Sequence, residues 1–98
     1  MRVVLTDAAR EDLISIGNRI AENNPLRAFS FIEDLETHCF AIGDFPHSYA
    51  ALQGREETGI RRVVHGNYGI SYTITEAVNI LHVLNSAMDY ERILFPEE

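Results

Sequence analysis

The stretch Gly59–Ser86, GIRRVVHGNYGISYTITEAVNILHVLNS, decides the fold. Apolar and β-branched residues fill three runs in it, parted only by very short polar segments. Ile60–His65, Tyr68–Ile74 and Val78–Ser86 read as three consecutive antiparallel strands. Gly66-Asn67 suits a two-residue hairpin whose first position needs a positive φ, and Thr75-Glu76-Ala77 makes the next turn. With turns of these lengths, alternation sorts the side chains into two faces. Arg61, Val63, His65, Tyr68, Ile70, Tyr72, Ile74, Val78, Ile80, His82 and Leu84 share one. Arg62, Gly69, Ser71, Thr73, Asn79 and Asn85 share the other, with Ile60, Val64, Leu81 and Val83 between them. The first set is the more apolar and should be covered; the second should form an open face.

Upstream, Met1–Leu5 is a short apolar run of strand type, and Thr6 or Asp7 can cap the helix that follows. Ala9, Leu13, Ile16, Gly17 and Ile20 recur at helical spacing. Asn23-Asn24-Pro25 ends that helix and starts another, since Asn caps well and Pro loses nothing in a first turn. The second helix should run from Pro25 to about Ile42, with Ala28, Ile32, Leu35, Cys39 and Ile42 as its stripe, widened by Phe29 and Phe31. So tight a link makes an antiparallel helical hairpin. Pro46–Thr58 reads as a loop, the segment expected to be most mobile. Asp89–Phe95 should form one or two helical turns before Pro96 and the acidic end. The expected architecture is therefore α+β: an N-terminal strand, then an α-helical hairpin packed on one face of a small antiparallel sheet (β-α-α-β-β-β), and a short C-terminal helix, in one domain spanning residues 1–98.

Composition narrows the function. The chain has 98 residues, 46% hydrophobic and 23% charged, the balance of an ordinary globular protein with one modest core. No segment approaches the length needed to span a bilayer, and the start lacks the apolar run of a signal peptide. The lone Cys39 cannot form an internal disulfide, so a cytoplasmic protein is the default. Net charge is −7, and all eight basic residues are arginine. Spread evenly, that charge repels nucleic acid and favours a basic partner.

Few residues suggest chemistry. His38, His47, His65 and His82 are too scattered for a standard zinc spacing, so no metal site is expected. His82 lies in an apolar strand and reads as a hydrogen-bonded core residue; His65 sits at a turn, where a solvated imidazole is the default. Neither has a carboxylate nearby in sequence to make it a strong base. Glu33, Asp34 and Glu36 read as a solvated helix face. Ser71, Thr73 and Ser86 lack any nucleophile-elbow pattern, and Gly66 and Gly69 are hairpin glycines, not a phosphate loop. Tyr68 and Tyr72 read as core. Arg55, Arg61 and Arg62 are the one basic cluster, but adjacent arginines on a strand point to opposite faces. Arg61 can snorkel from the covered face or pair with a helix acid. Arg62 remains the best single candidate for holding a phosphate or carboxylate.

Four segments together resemble the ParE/RelE superfamily of toxins from type II toxin–antitoxin pairs. They are VVLTDAAREDLISIGNRIAENNP, AFSFIEDLETHCFAI, GIRRVVHGNYGISYTI and VNILHVLNSAMDYERIL, in that order and over nearly the whole chain. The Asn-Pro helix break, the Gly-Ile-Arg strand start and the Asn-Tyr hairpin look most like the ParE branch. The resemblance implies a toxin neutralised by a cognate antitoxin, in a toxin–antitoxin hetero-oligomer. ParE-like members are described as poisons of DNA gyrase. RelE-like members cut messenger RNA on the ribosome with basic residues and a terminal Tyr or His on the open face. Here a position resembling one such basic site carries Gly69, and Asn85 and Met88 stand where many relatives have His and Arg. RNA cleavage needs cations against developing phosphate charge, so the departure argues for an inhibitor over a ribonuclease. A ribosome-dependent endoribonuclease, or a degenerate non-toxic interaction module, is the alternative.

The resemblance also implies a ribbon–helix–helix antitoxin with a flexible segment that wraps the toxin. A groove on the helical hairpin would accept an amphipathic helix, and a free sheet edge an added strand. Phe29, Phe31 and Phe40 cannot all face one core, and with Ile16 and Ile20 they are the candidate antitoxin contacts. Arg62, Arg61 and Asn85 are the candidate contacts to a target or phosphate. No catalytic residue, cofactor or membrane contact is expected, nor strong direct nucleic-acid binding by the chain alone.

Overall fold

In the computed structural model, which describes residues 1–97, the chain runs β1 (Val3–Leu5), α1 (Asp7–Ala21), α2 (Pro25–Ala41), β2 (Arg61–His65), β3 (Tyr68–Ile74), β4 (Val78–Asn85) and α3 (Tyr90–Leu94). Glu98, the last residue of the acidic end, lies outside the described residues. The order of elements is the one the sequence implies. The sheet order is β1-β4-β3-β2. β2, β3 and β4 form the antiparallel meander, while β1 adds to β4 in parallel, so the four-stranded sheet is mixed. β1 joins the free edge of β4 in register, Val3 opposite Val78, Val4 opposite Asn79 and Leu5 opposite Ile80.

Local signals set the boundaries. Thr6 Oγ1 accepts from the Ala9 amide at 3.2 Å, capping α1, and donates to the Ile80 carbonyl at 2.6 Å. One side chain thus ends β1, starts α1 and holds both to β4. Asn24 Oδ1 accepts from the Arg27 amide at 3.0 Å, with Pro25 in the first turn of α2. At Gly17 a Cβ would come within 3.2 Å of the Ile32 side chain, so glycine lets the two helices approach there. Gly66 alone has positive φ (60°) in the Gly66-Asn67 hairpin, as the first-position requirement predicts.

The core lies between the helix pair and one sheet face. Ala9, Leu13 and Ile16 from α1 and Leu35 and Cys39 from α2 meet Tyr68, Ile70, Tyr72, Val78, Ile80 and Val83. Burying each large aliphatic side chain among these contributes roughly 1.5–3 kcal/mol. The Pro46–Thr58 segment runs along the outer edge of β2 and is hydrogen-bonded to it. Leu52 is buried and its amide donates to the Ile60 carbonyl at 3.0 Å, the Arg62 amide donates to the Ala50 carbonyl at 3.3 Å, and the Tyr72 hydroxyl donates to the Pro46 carbonyl at 2.6 Å.

One irregularity changes the sorting of faces. Tyr72 pairs with Ile80 but Ser71 pairs with His82, so Leu81 is an extra residue, a β-bulge in β4. Beyond it the alternation inverts. Val83, opposite Ile70, is buried in the core; Asn85 lies opposite Tyr68; Leu84, opposite Gly69, falls on the far face. Alternation without the bulge put Val83 and Asn85 on the open face and His82 and Leu84 on the covered one.

Candidate functional site

Two surfaces are candidates for recognition, and the first is the sheet face away from the helix pair. It is not bare, because α3 crosses it. Asp89 Oδ1 caps this helix by accepting from the Arg92 amide at 3.2 Å. The Arg62 guanidinium lies 4.1 Å from the centre of the Tyr90 ring, and a Cβ on Gly69 would collide with it from below. Arg62 is thus stacked between a glycine of β3 and an aromatic ring of α3, a cation–π contact. Arg55 stacks on Phe95 at 4.2 Å in the same way. Under α3, Ile60, Leu81, His82, Ile93 and Leu94 line a cleft of about 330 Å³. Arg62 Nε and Ser71 Oγ, on register partners of this face, are the two buried side-chain polar atoms without a hydrogen-bond partner among the described residues.

Arg61 points the other way, as adjacent strand residues must. Its guanidinium donates to the carbonyls of Tyr49 at 2.5 Å and His47 at 3.4 Å, so it fastens the loop and, among the described residues, pairs with no helix acid. Asn85 belongs to a cleft of about 330 Å³ between α1 and the end of β4, with Asp12, Arg19 and Met88. The three candidate target contacts are therefore not brought together. Arg62 is covered by Tyr90, Arg61 is bound to the loop, and Asn85 is turned to the α1 side by the bulge.

The second surface is the outer seam of α1 and α2. Two adjoining clefts of about 470 and 360 Å³ share Gly17, Asn18, Ile32 and Glu36 and form one groove. Gly17 and Ile32 make its floor, Leu13 and Ala28 its walls, and Glu33 and Glu36 an acidic rim. Ile14 (62% exposed) and Phe29 (71%) stand at its sides. Of the other proposed antitoxin contacts, Phe40 is half exposed, but Phe31 meets Tyr68 edge-on at 5.5 Å in the core. Ile16 is buried and Ile20 packs against the core, so neither is open to the groove.

The family described as "ParE toxin of type II toxin-antitoxin system, parDE" matches residues 3–90. The chain belongs to the ParE toxin family. A solved chain of the "Chromosomal ParDE TA system from P. aeruginosa" superposes with a TM-score of 0.74 at 17% identity, over 87% of this chain and 95% of that one. At that identity the likeness carries the fold alone. No curated protein matches the chain. No helix among the described residues is long and apolar enough to cross a membrane.

Sequence reasoning about this ParE toxin missed three residues. His82 was expected to be a bonded core residue without a nearby carboxylate; Asp12, seventy residues away in sequence, supplies one, with Oδ2 accepting from His82 Nδ1 at 2.8 Å and from the Val83 amide at 2.9 Å. Asp34 was assigned to a solvated face and reaches His65. Tyr90, which covers Arg62, carries no motif in the sequence; an aromatic on a short tail helix is the one available signal. Among the described residues, burial displaces the acidities of Cys39 and Tyr72. Burial, then the nearby Glu36 charge, pushes the Cys39 thiol up to about 11, which keeps it protonated and unreactive. Burial raises the Tyr72 phenol as well, against the opposing pull of Arg61.

Proposed function

We propose that this ParE toxin acts in the cytoplasm by binding DNA gyrase rather than by cutting RNA, and that a cognate antitoxin neutralises it by laying an amphipathic helix along the α1–α2 groove. The observation that carries the first part is the stacking of Arg62 between Gly69 and Tyr90. A ribonuclease must offer cations to phosphate charge that develops during cleavage, and the chief cation of this face is spent on the fold. The groove supports the second part. Its floor is apolar, its rim carries Glu33 and Glu36, and the chain's net charge is −7. These features suit a helix with an apolar stripe and basic flanks. The ParDE naming of the structural neighbour supports a partner of the ParD kind, and the family resemblance a ribbon–helix–helix one.

Purified toxin should inhibit gyrase supercoiling in proportion to its concentration, leave messenger RNA intact in a translating extract, and lose inhibition when antitoxin is added. Normal supercoiling at saturating toxin refutes the gyrase reading. Codon-specific RNA cleavage abolished by Arg62→Ala would establish the ribonuclease in its place. An antitoxin that protects as well against Phe29→Asp as against wild type refutes the groove.

A further inference from the structure

A cluster that neither surface uses lies where the end of β2 meets α2. Asp34 and His38 stand one turn apart on α2, so their side chains share a face. His65 is the last residue of β2, opposite Tyr68, and the edge-on contact of Tyr68 with Phe31 holds this corner of the sheet against the helix. His65 Nε2 comes to 3.2 Å from Asp34 Oδ2, and His38 Nε2 to 3.9 Å from Asp34 Oδ1. The two imidazole rings stack with centroids 3.4 Å apart at 29°. One donor atom from each residue lies within 4.8 Å of the others, and all three side chains remain open to solvent, 56% for Asp34, 42% for His38 and 36% for His65.

We propose that Asp34, His38 and His65 form a binding site for a zinc-class divalent metal ion that clips the end of β2 to α2. Zinc bonds of about 2.0–2.2 Å place tetrahedral ligand atoms about 3.3–3.6 Å apart. The 3.2 Å separation of His65 from Asp34 is close to this. The 3.9 Å separation closes by a small rotation of solvent-exposed side chains. Both histidines turn the same nitrogen, Nε2, toward one carboxylate. His65 faces Oδ2 and His38 faces Oδ1, so a single cation seated between the three side chains can draw on both imidazoles and the carboxylate. Two imidazoles with one carboxylate favour zinc and its transition-metal neighbours over magnesium or calcium, which take oxygen ligands. Three protein ligands leave a fourth position for water or for a side chain of a bound partner. The ligands come from two elements far apart in sequence, so bound metal stabilises the folded chain and not the unfolded one. Nothing in this inference depends on the gyrase reading.

Calorimetric titration of zinc chloride into the tag-free full chain tests it, together with the visible absorption of bound cobalt(II) as a report on ligand geometry. One metal should bind per chain, raise the melting temperature and give cobalt bands of a four- or five-coordinate site, while magnesium at the same concentration does nothing. His38→Ala, His65→Ala and Asp34→Asn should each weaken zinc binding roughly tenfold or more. His47→Ala, an exposed histidine outside the cluster, should bind as wild type does. All four positions are at the surface, and circular dichroism of the metal-free variants checks their folding. Absence of zinc binding, or His38→Ala and His65→Ala proteins that bind zinc as tightly as wild type, overturns the proposal.

Discussion

Asp12→Ala should be among the most damaging changes that a partly exposed position of this chain can suffer. β1 ends at Leu5, so past Ile80 no strand remains to pair with the outer edge of β4. Asp12 takes over there. Its Oδ2 accepts from the amide of Val83 at 2.9 Å and from Nδ1 of His82 at 2.8 Å, directly beyond the Leu81 bulge. The carboxyl side chain is 20% exposed and that of His82 23%, so water replaces neither bond well. A hydrogen bond to a charged group contributes about 1.5–3 kcal/mol, and an amide left buried without a partner costs about 1–3 kcal/mol. Since the terms overlap, truncation should cost about 2–3 kcal/mol, a large part of a domain's usual stability of about 5–15 kcal/mol. For a chain of this size the melting temperature should fall on the order of 10–20 °C. Asp12→Asn keeps a neutral acceptor and should lose about half as much. Urea unfolding of Asp12→Ala, His82→Ala and the double variant gives the coupling between them, expected at about 0.5–3 kcal/mol. A melting temperature for Asp12→Ala within error of wild type, or a coupling of zero, refutes the claim that this carboxylate completes the sheet edge.

Other perturbations test separate parts of the structure. Leu35 is completely buried between α2 and the sheet, so Leu35→Ala should cost about 2–5 kcal/mol in urea unfolding. Tyr90→Ala removes the ring over Arg62 and should cost about 0.5–2 kcal/mol; limited proteolysis should then cut the chain after Ser86 far sooner than in wild type. Folding lifts the Cys39 thiol from the ordinary value of 9.0 to about 11, so the folded chain keeps a proton that the unfolded chain releases. This contribution is whole below about pH 9 and is lost as pH rises toward 11. At roughly 1.4 kcal/mol per pH unit the loss is on the order of 2–3 kcal/mol. Cys39→Ala should show a shallower alkaline decline of the melting temperature than wild type.

What could be read from the sequence was what depends on near neighbours. A cap needs a side-chain oxygen a few residues from an amide, and Thr6 and Asn24 announce theirs. A hairpin needs φ freedom at one position, and Gly66 supplies it. Helix and strand periods follow from side chains a turn or two residues apart, which is why the helix hairpin and the meander were legible. The parallel pairing of β1 was not, because nothing in a three-residue strand records which neighbour it will join. Phe29 and Phe40 are exposed, but Phe31 is drawn inward by Tyr68, a residue thirty-seven positions away.

The bulge shows how one residue redirects a side chain while the fold stays as it is. Strand alternation carries a single binary variable, so one extra residue reverses every later assignment while the strand itself stays intact. Leu81 does this, and Asn85 passes to the α1 side although the strand expected over Val78–Ser86 does form, over Val78–Asn85. The sequence did hold a trace of the event. His82 breaks an otherwise aliphatic run, and a polar residue there needs a partner that the sheet ladder does not offer. Asp12 is that partner, but no spacing rule links a helix acid to a strand residue seventy positions later. The same reasoning applies to His65, whose carboxylate lies thirty-one residues upstream on α2. Polar contacts in this chain are assembled where elements meet, at Asp12 with His82 and at Asp34 with His38 and His65. A reading along single elements finds their donors and acceptors one at a time and takes each for a solvated or core residue.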